Sequence, residues 1–376
     1  MGKAVEMYAL KEGFCKKVKK SNNIRYDVRC KDENCKFQLV AIKTKIGDQW
    51  EVLKFRKQHC CSLDSVHRRC RKVSAKLIGD LITPKLQVSG QSMKPKEIQA
   101  EIQVNYGVVL SYNQCRRAKD HAEDNVFGSA ELSFEQLPAY CYQLELANPG
   151  TVTNIETNDS NQFLYMFIAY GVSISGFRQV IRPVIAIDGT HLKGKFGGIM
   201  FIAACKDANE QVYPLAFGFG DVEDEKSWSW FLTKLRNVIG CPENCMFISD
   251  RHLGIKVAME KVYPDAHHGL CMYHMTQNVK NLYKNKTVTG LFHRASRCYR
   301  QSKFWGMMED LRKIHPKAHK ELIELGPHRW ALAMSPVRRY WILTSNIAEC
   351  MNSCLVKARQ YPLTTLVEYI RGMMQR

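Results

Sequence analysis

The sequence contains no apolar run long enough to cross a bilayer, and its first residues lack the apolar stretch of a secretory signal. Membrane-embedded classes and secreted, disulfide-stapled classes are therefore set aside, and no membrane partner is expected. Internal repeats and low-complexity linkers are also missing. Acidic residues are the scarce charged class: 36 Asp and Glu face 55 Lys and Arg, for a formal net charge of +19. The deficit is steepest in residues 1–72, where 8 acids face 19 bases. Such a balance implies a polyanionic partner, nucleic acid first, with a merely soluble basic surface as the plainer reading. Met1-Gly2 does not extend to a myristoylation signal, because Glu6 stands where Ser or Thr is needed.

Cysteine, by contrast, is plentiful, with 15 in 376 residues. Without a secretory context these read as reduced thiols, some of them metal ligands. The length allows two or three domains, and 45% hydrophobic residues are enough for them to fold.

Three short alternating runs, Ile24–Arg29, Phe37–Ile42 and Trp50–Phe55, predict strands, with Gly47-Asp48 as the turn between the last two. Cys30 and Cys35 close the first run, while His59 and Cys61 follow the third. These four residues offer the soft and borderline donors that a tetrahedral structural Zn²⁺ requires. Cys60 stands as an alternative to Cys61, and scattered thiols with a surface histidine as the alternative to a site. Lys16, Lys17, Lys19 and Lys20 precede the unit, Arg25 and Arg29 lie on its first strand, and Arg68, Arg69, Arg71 and Lys72 follow it. A β-ribbon carrying such cations suits the DNA major groove and its phosphates. Residues 1–73 are thus expected to form a zinc-binding DNA-binding module.

Residues 74–180 are expected to form a helical connecting region. Leu77, Ile78, Leu81 and Ile82 mark one helical face, Pro95 opens a second helix and Ser111 a third. The last two suit a helix-turn-helix bringing Arg116, Arg117 and Lys119 to DNA, or equally a plain spacer.

Residues 181–376 begin with the strand-like runs "VIAIDGTH" (184–191), "IMFIAACKD" (199–207) and "VYPLAFGFG" (212–220). Trp228, Phe231, Leu232, Leu235, Val238 and Ile239 then recur at helical spacing up to Gly240, and "MFISD" (246–250) is a further strand before another helix. Strand, strand, strand, helix, strand, helix, strand is the order of a ribonuclease H-like fold. It sets Asp188 on the first strand beside Asp250 at the end of the fourth, with Gly189 letting the chain turn away. Glu349 lies in a helix whose expected packing stripe is Ile347, Cys350, Met351, Cys354, Leu355 and Ala358, with Asn346, Glu349 and Asn352 on the other side. Asp188, Asp250 and Glu349 form a set that can bind two Mg²⁺ or Mn²⁺ ions and catalyse phosphodiester transfer. Glu223 is a rival ligand. Taken singly, each acid also reads as a turn, an N-cap or a solvated first-turn residue.

Across these motifs the chain resembles the Mutator-like transposase family. "AIDGTHLKGKFGG", "FISDRHLG", "CMYH" and "SNIAECMN" match the family's Asp-Gly-Thr, Ser-Asp-Arg, Cys-x-x-His and Asn-x-x-Glu signatures. The N-terminal module is similar to zinc-stabilised β-sheet modules of the WRKY and GCM type, above all those of plant Mutator-like transposases and the far-red-impaired-response proteins derived from them. The resemblance implies an α+β multidomain protein with a ribonuclease H-like core, a helical insertion at about 278–341, and Asp188, Asp250 and Glu349 as the catalytic acids. It implies binding of terminal inverted repeats in double-stranded DNA, a homo-oligomer on DNA, and nuclear residence, which the basic clusters at 16–20 and 68–72 permit. Cys271 and His274 match the Cys-x-x-His pair, whose role is left open between a metal and a structural or DNA-facing one. The chain stops at Arg376, before the SWIM-type zinc motif of many relatives, so a truncated copy is expected. A DNA-binding transcription regulator with an inactive core is the rival reading.

Overall fold

The computed structural model describes residues 1–44, 49–61, 73–90 and 93–375, which divide into two compact units, Met1–Ser129 and Ala130–Arg376. Gly47-Asp48, Arg68, Arg69, Arg71 and Lys72 lie outside the described residues.

In the first unit, strands β1 (Lys16–Ser21), β2 (Arg25–Cys30), β3 (Gln38–Lys43) and β4 (Trp50–Arg56) form an antiparallel sheet in that order. The three strands expected from alternation are present within a residue of their predicted bounds. The fourth, β1, is the lysine run "KKVKKS", which carries no apolar alternation because nearly all of it is exposed. Lysines on an edge strand protect it from pairing with other chains. Helix α1 (Gly2–Lys11) packs Val5 against Tyr26, Val28, Leu39 and Ala41, and Ala9 near Phe14, Cys30 and Phe37.

The middle helices belong to this same unit. α2 (Ala75–Ser89) starts on Ser74, whose hydroxyl accepts the Leu77 N–H, and ends at Gly90 in the left-handed region. α3 (Pro95–Tyr106) and α4 (Tyr112–Phe127) follow, α4 opened by a Ser111–Gln114 capping box. Leu77, Ile78, Ile82, Ile98, Ile102, Cys115 and Ala118 form their core. Gly79 allows α2 and α4 to cross closely, since a Cβ there would meet the Ala118 carbonyl at 2.7 Å.

The second unit is built on a seven-stranded sheet of β5 (Val152–Thr157), β6 (Phe163–Ala169), β7 (Val184–His191), β8 (Ile199–Lys206), β9 (Val212–Gly220), β10 (Met246–Ser249) and β11 (His267–Leu270). Their spatial order is β11-β10-β7-β8-β9-β6-β5, with β10 parallel to both β7 and β11 and the other pairs antiparallel. β5 and β6, with helices α5 (Ala130–Ala147) and α6 (Gly171–Gln179), come from the stretch expected to be connecting region. Phe167, Ile168 and Ala169 are fully buried in the sheet, which ties that stretch to the second unit.

The four-residue apolar run of β7 follows from burial on both faces. Val184 and Ala186 join the cluster under α5, α14 (Asn346–Cys354) and α15 (Leu363–Met374), while Ile185 and Ile187 join the one under α6, α7 (Glu225–Ile239) and α8 (Leu253–Val262). Beyond β11 come α9 (Met272–Tyr283), α10 (Lys286–Arg297), α11 (Gln301–Ile314), α12 (Pro316–Glu324) and a short turn of helix, α13 (Pro327–Trp330). They have their own core around Phe292, Phe304, Leu311 and the fully buried Trp330. This helical segment begins at Met272, some residues before the expected position 278.

Candidate active site

Strand β7 runs through the aspartate to His191, so Gly189 does not turn the chain as expected. Its missing side chain makes room instead: a Cβ at Gly189 would lie 2.6 Å from the Glu223 carboxylate. Pairing of Ala186 with Ile248, carried two residues along the parallel strands, brings Asp250 level with Asp188. Asp250 Oδ1 also accepts the His252 N–H at 2.9 Å, fixing the turn into α8.

Glu349 approaches from α14, which packs on β7, β8 and β9. The buried face of α14 is Ile347, Ala348, Met351 and Asn352, whereas Cys350 and Cys354 are exposed. The expected packing stripe is therefore rotated, with small Ala348 and Asn352 turned inward in place of Cys350 and Cys354. Asn352 Nδ2 donates to Asp188 Oδ2 at 2.6 Å, and its Oδ1 is buried without a hydrogen-bond partner. Ser345 Oγ donates to Glu349 Oε1 at 3.2 Å.

Burial first, then the charges of Asp250, Glu349 and Glu223, push the Asp188 carboxyl up to about 7, against the opposing pull of the Asn352 hydrogen bond. Four acids thus converge, and Glu223, whose carboxylate accepts from Trp228 Nε1 at 3.3 Å, is one of them. Repulsion in such a group is relieved by a proton or a cation. The donors are hard oxygens with a spare buried amide oxygen, a set that suits Mg²⁺ or Mn²⁺. Buried Arg359 lies on the same side, donating to Thr190 Oγ1 and to the His191 carbonyl.

Cys271 and His274 join this site from the start of α9. Cys271 is buried and its Sγ accepts the Ser345 N–H at 3.3 Å, while His274 Nε2 lies 3.8 Å from Glu349 Oε1. One donor atom from each of Cys271, His274 and Glu349 falls within 4.8 Å of the others. The pair holds the start of α9 against the start of α14. Behind Asp250, His268 Nδ1 faces Arg329 Nη2 at 3.4 Å, so its Nε2 carries the proton and donates to Ser249 Oγ, which donates to the Asp250 carbonyl. Asn352, Arg359 and the His268–Ser249 link were not assigned roles from sequence; only Asn352, three residues from Glu349, left a visible mark in the spacing.

In the first unit, Cys30, Cys35, His59 and Cys61 present donor atoms all within 4.8 Å of one another. The strand register explains this: Arg29 faces Gln38 and Gln38 faces Arg56, so the residues after β2, before β3 and after β4 share one end of the sheet. Cys30 and Cys61 sulfurs are 3.7 Å apart, and Cys35 Sγ is 3.3 Å from His59 Nδ1. Phe14 and Phe37 pack on the imidazole with ring centroids 4.3 and 4.5 Å away. Cys60 points elsewhere, its exposed thiol accepting the Lys36 N–H. This donor set is able to hold a structural zinc. Lys17, Lys19 and Lys20 are exposed on β1, while Arg25 and Arg29 flank buried Asp27 at 3.7 and 4.0 Å. Arg116 and Arg117 are exposed on α4, and Lys119 pairs with Glu123.

Residues 184–278 match the MULE transposase domain. The chain is similar to the protein FAR1-related sequence 5 of Arabidopsis thaliana, 23% identical over 326 residues, which are 82% of this chain and 39% of that protein. A shorter likeness, 22% over 129 residues, covers 33% of this chain and 3% of the PKS-NRPS hybrid synthetase cheA of Chaetomium globosum. The chain therefore spans about two fifths of the first relative's length and a small fraction of the second's.

Proposed function

We propose that this relative of the plant Mutator-like transposases and of the FAR1-type proteins is itself a DNA transposase, with Asp188, Asp250 and Glu349 as its catalytic acids. The observation that carries the reading is the meeting of these acids, from two adjacent parallel strands and one helix, in a cluster that drives Asp188 up to about 7. The strand order β9-β8-β7-β10-β11, three antiparallel strands followed by two parallel ones, supports a ribonuclease H-like core.

Asp188, Asp250 and Glu349 would hold two Mg²⁺ or Mn²⁺ ions, which, when bound, activate water or a DNA 3′-hydroxyl and stabilise the leaving oxygen. Asn352 orients Asp188, and Ser345 and His274 orient Glu349. Rigid strands under Asp188 and Asp250 hold the two carboxylates at a set separation.

The Cys/His cluster with its zinc would stabilise the β1–β4 module. Lys16, Lys17, Lys19 and Lys20, with Arg25 and Arg29, would bring that module to the terminal inverted repeats in double-stranded DNA. Arg116 and Arg117, exposed on α4, would add further contacts to DNA, as Arg68, Arg69 and Arg71 were expected to do. Residence in the nucleus and a homo-oligomer that brings two DNA ends together complete the proposal.

Strand cleavage on DNA bearing the element's termini tests it. Cleavage is expected with Mg²⁺ or Mn²⁺, and is expected to be lost in Asp188→Ala, Asp250→Ala and Glu349→Ala with DNA binding retained. A protein that binds those termini and never nicks them is a regulator instead.

A further inference from the structure

Residues 266–308 contain seven Lys and Arg and no Asp or Glu. All seven cations lie on α9, α10, α11 or the links between them, from Lys280 to Lys303. Among the described residues none of them forms an ion pair, although Arg312, Lys317 and Lys320 just beyond are all paired.

Two cavities mark where these cations gather. One of about 940 Å³ is walled by Lys280, Lys284, Lys286, Thr289, His293 and Arg294. The other, of about 560 Å³, is walled by His293, Arg294, Arg297, Tyr299, Arg300 and Lys303. They adjoin at His293 and Arg294, which wall both, and together make a basic trough. Gly290 lies on its wall, and a Cβ there would meet nothing within 4 Å. Arg297 Nη1 is buried without a hydrogen-bond partner, a cationic donor held ready for an oxyanion. Tyr299 and Trp341, in edge contact at 4.7 Å, add two exposed aromatic rings beside it.

The trough starts next to the acid cluster. His274 faces Glu349 from the first turn of α9, and Lys284 closes that helix ten residues on, about 15 Å away at 1.5 Å per residue. Duplex DNA offers one negative charge per ~1.7 Å of axis, so that distance spans roughly nine phosphate charges.

We propose that the trough on α9–α11 is a second DNA-binding site, which grips the phosphodiester backbone of the duplex leading out of the acid cluster. It rests on the reading of that cluster as a DNA-processing site and adds the path the substrate takes. The N-terminal module recognises the ends; the trough, made of unpaired cations and stacking surfaces without a base-reading element, binds without regard to sequence.

The test is the salt dependence of full-chain binding to a short labelled duplex, followed by fluorescence anisotropy between about 50 and 200 mM salt. The triple variants Arg294→Gln/Arg297→Gln/Lys303→Gln and Lys280→Gln/Lys284→Gln/Lys286→Gln are each expected to flatten the logarithmic salt slope by about 2–3, at ~0.9 per lost phosphate contact. Removing the same charge from paired cations, in Arg312→Gln/Lys317→Gln/Lys320→Gln, is expected to leave the slope near the parent's. Asp188→Ala is expected to keep the parent slope, so a chain that never cleaves but shows the slope change keeps the trough and loses the enzyme. The proposal is overturned if both trough triples, folded by thermal melting, keep the parent slope, or if the control triple flattens it equally.

Discussion

At the scale of single residues, the acid cluster depends on two neighbours whose roles are geometric. Gly189 admits the Glu223 carboxylate beside Asp188, since a Cβ would come within 2.6 Å of it. Gly189→Ala is therefore expected to lower cleavage by roughly 10- to 100-fold through misplaced carboxylates, with little change in Tm because a flexible side-chain end absorbs the clash. His268, linked through Ser249 to the Asp250 backbone, supplies a pH dependence of stability. Burial, then the charges of Arg329, Arg339 and Lys256, lower its imidazole to about 3, so the fold holds it neutral. Below about 6.5 the unfolded chain takes up a proton that the folded chain refuses. Stability present above pH 6.5 is then lost as pH falls toward about 3, at about 1.4 kcal/mol per pH unit. Denaturant unfolding across that range is expected to follow this slope in the parent and a flatter one in His268→Asn. That Asp188 and Asp250 come together was legible because each follows a short apolar strand run, and those two strands pair in parallel. Asn352 and Arg359 were not, since their partners Asp188 and Thr190 are more than 160 positions away and only folding brings them together.

At the scale of elements, strands and helices with strong patterns were read correctly where apolar spacing set them. α7 buries Trp228, Phe231, Leu232, Leu235, Val238 and Ile239, the very set its spacing marks. β1 escaped because an exposed lysine strand has no apolar signature; it pairs with β2, and Lys17 on it pairs with Glu33. α14 was rotated because Cys350 and Cys354, which share one face of this nine-residue helix, read as apolar yet stay exposed. The sheet β1–β4 carries small apolar clusters at both ends of its contact with α1, and the Cys30, Cys35, His59 and Cys61 end is where a metal would add most. One zinc per chain is expected by mass spectrometry under native conditions. Cys35→Ser or chelation is expected to melt β1–β4 by amide exchange while β7–β10 stay protected; no bound zinc in the purified chain would contradict the site.

For the whole molecule, the excess of +19 is distributed over both units, with the N-terminal lysines in one and the α9–α11 cations in the other. Composition alone pointed to a polyanion, but not to a trough, because the acid-free stretch gains meaning only once its helices stand next to Glu349. The division into units at Ser129 was also hidden, since α5, β5 and β6 read as mixed apolar sequence until the sheet uses them. If Asp188 holds a divalent cation at a DNA-cleaving site, a change of donor at that position alters which cation supports cleavage. Asp188→Cys replaces a hard oxygen by a softer sulfur that favours Mn²⁺ over Mg²⁺. On DNA bearing the element's termini, the parent is expected to cleave with either ion, and Asp188→Cys to be inactive in Mg²⁺ and to recover in Mn²⁺. Parent protein that binds this DNA but leaves it intact in both ions, or an Asp188→Cys variant that cleaves in Mg²⁺ like the parent, would contradict it.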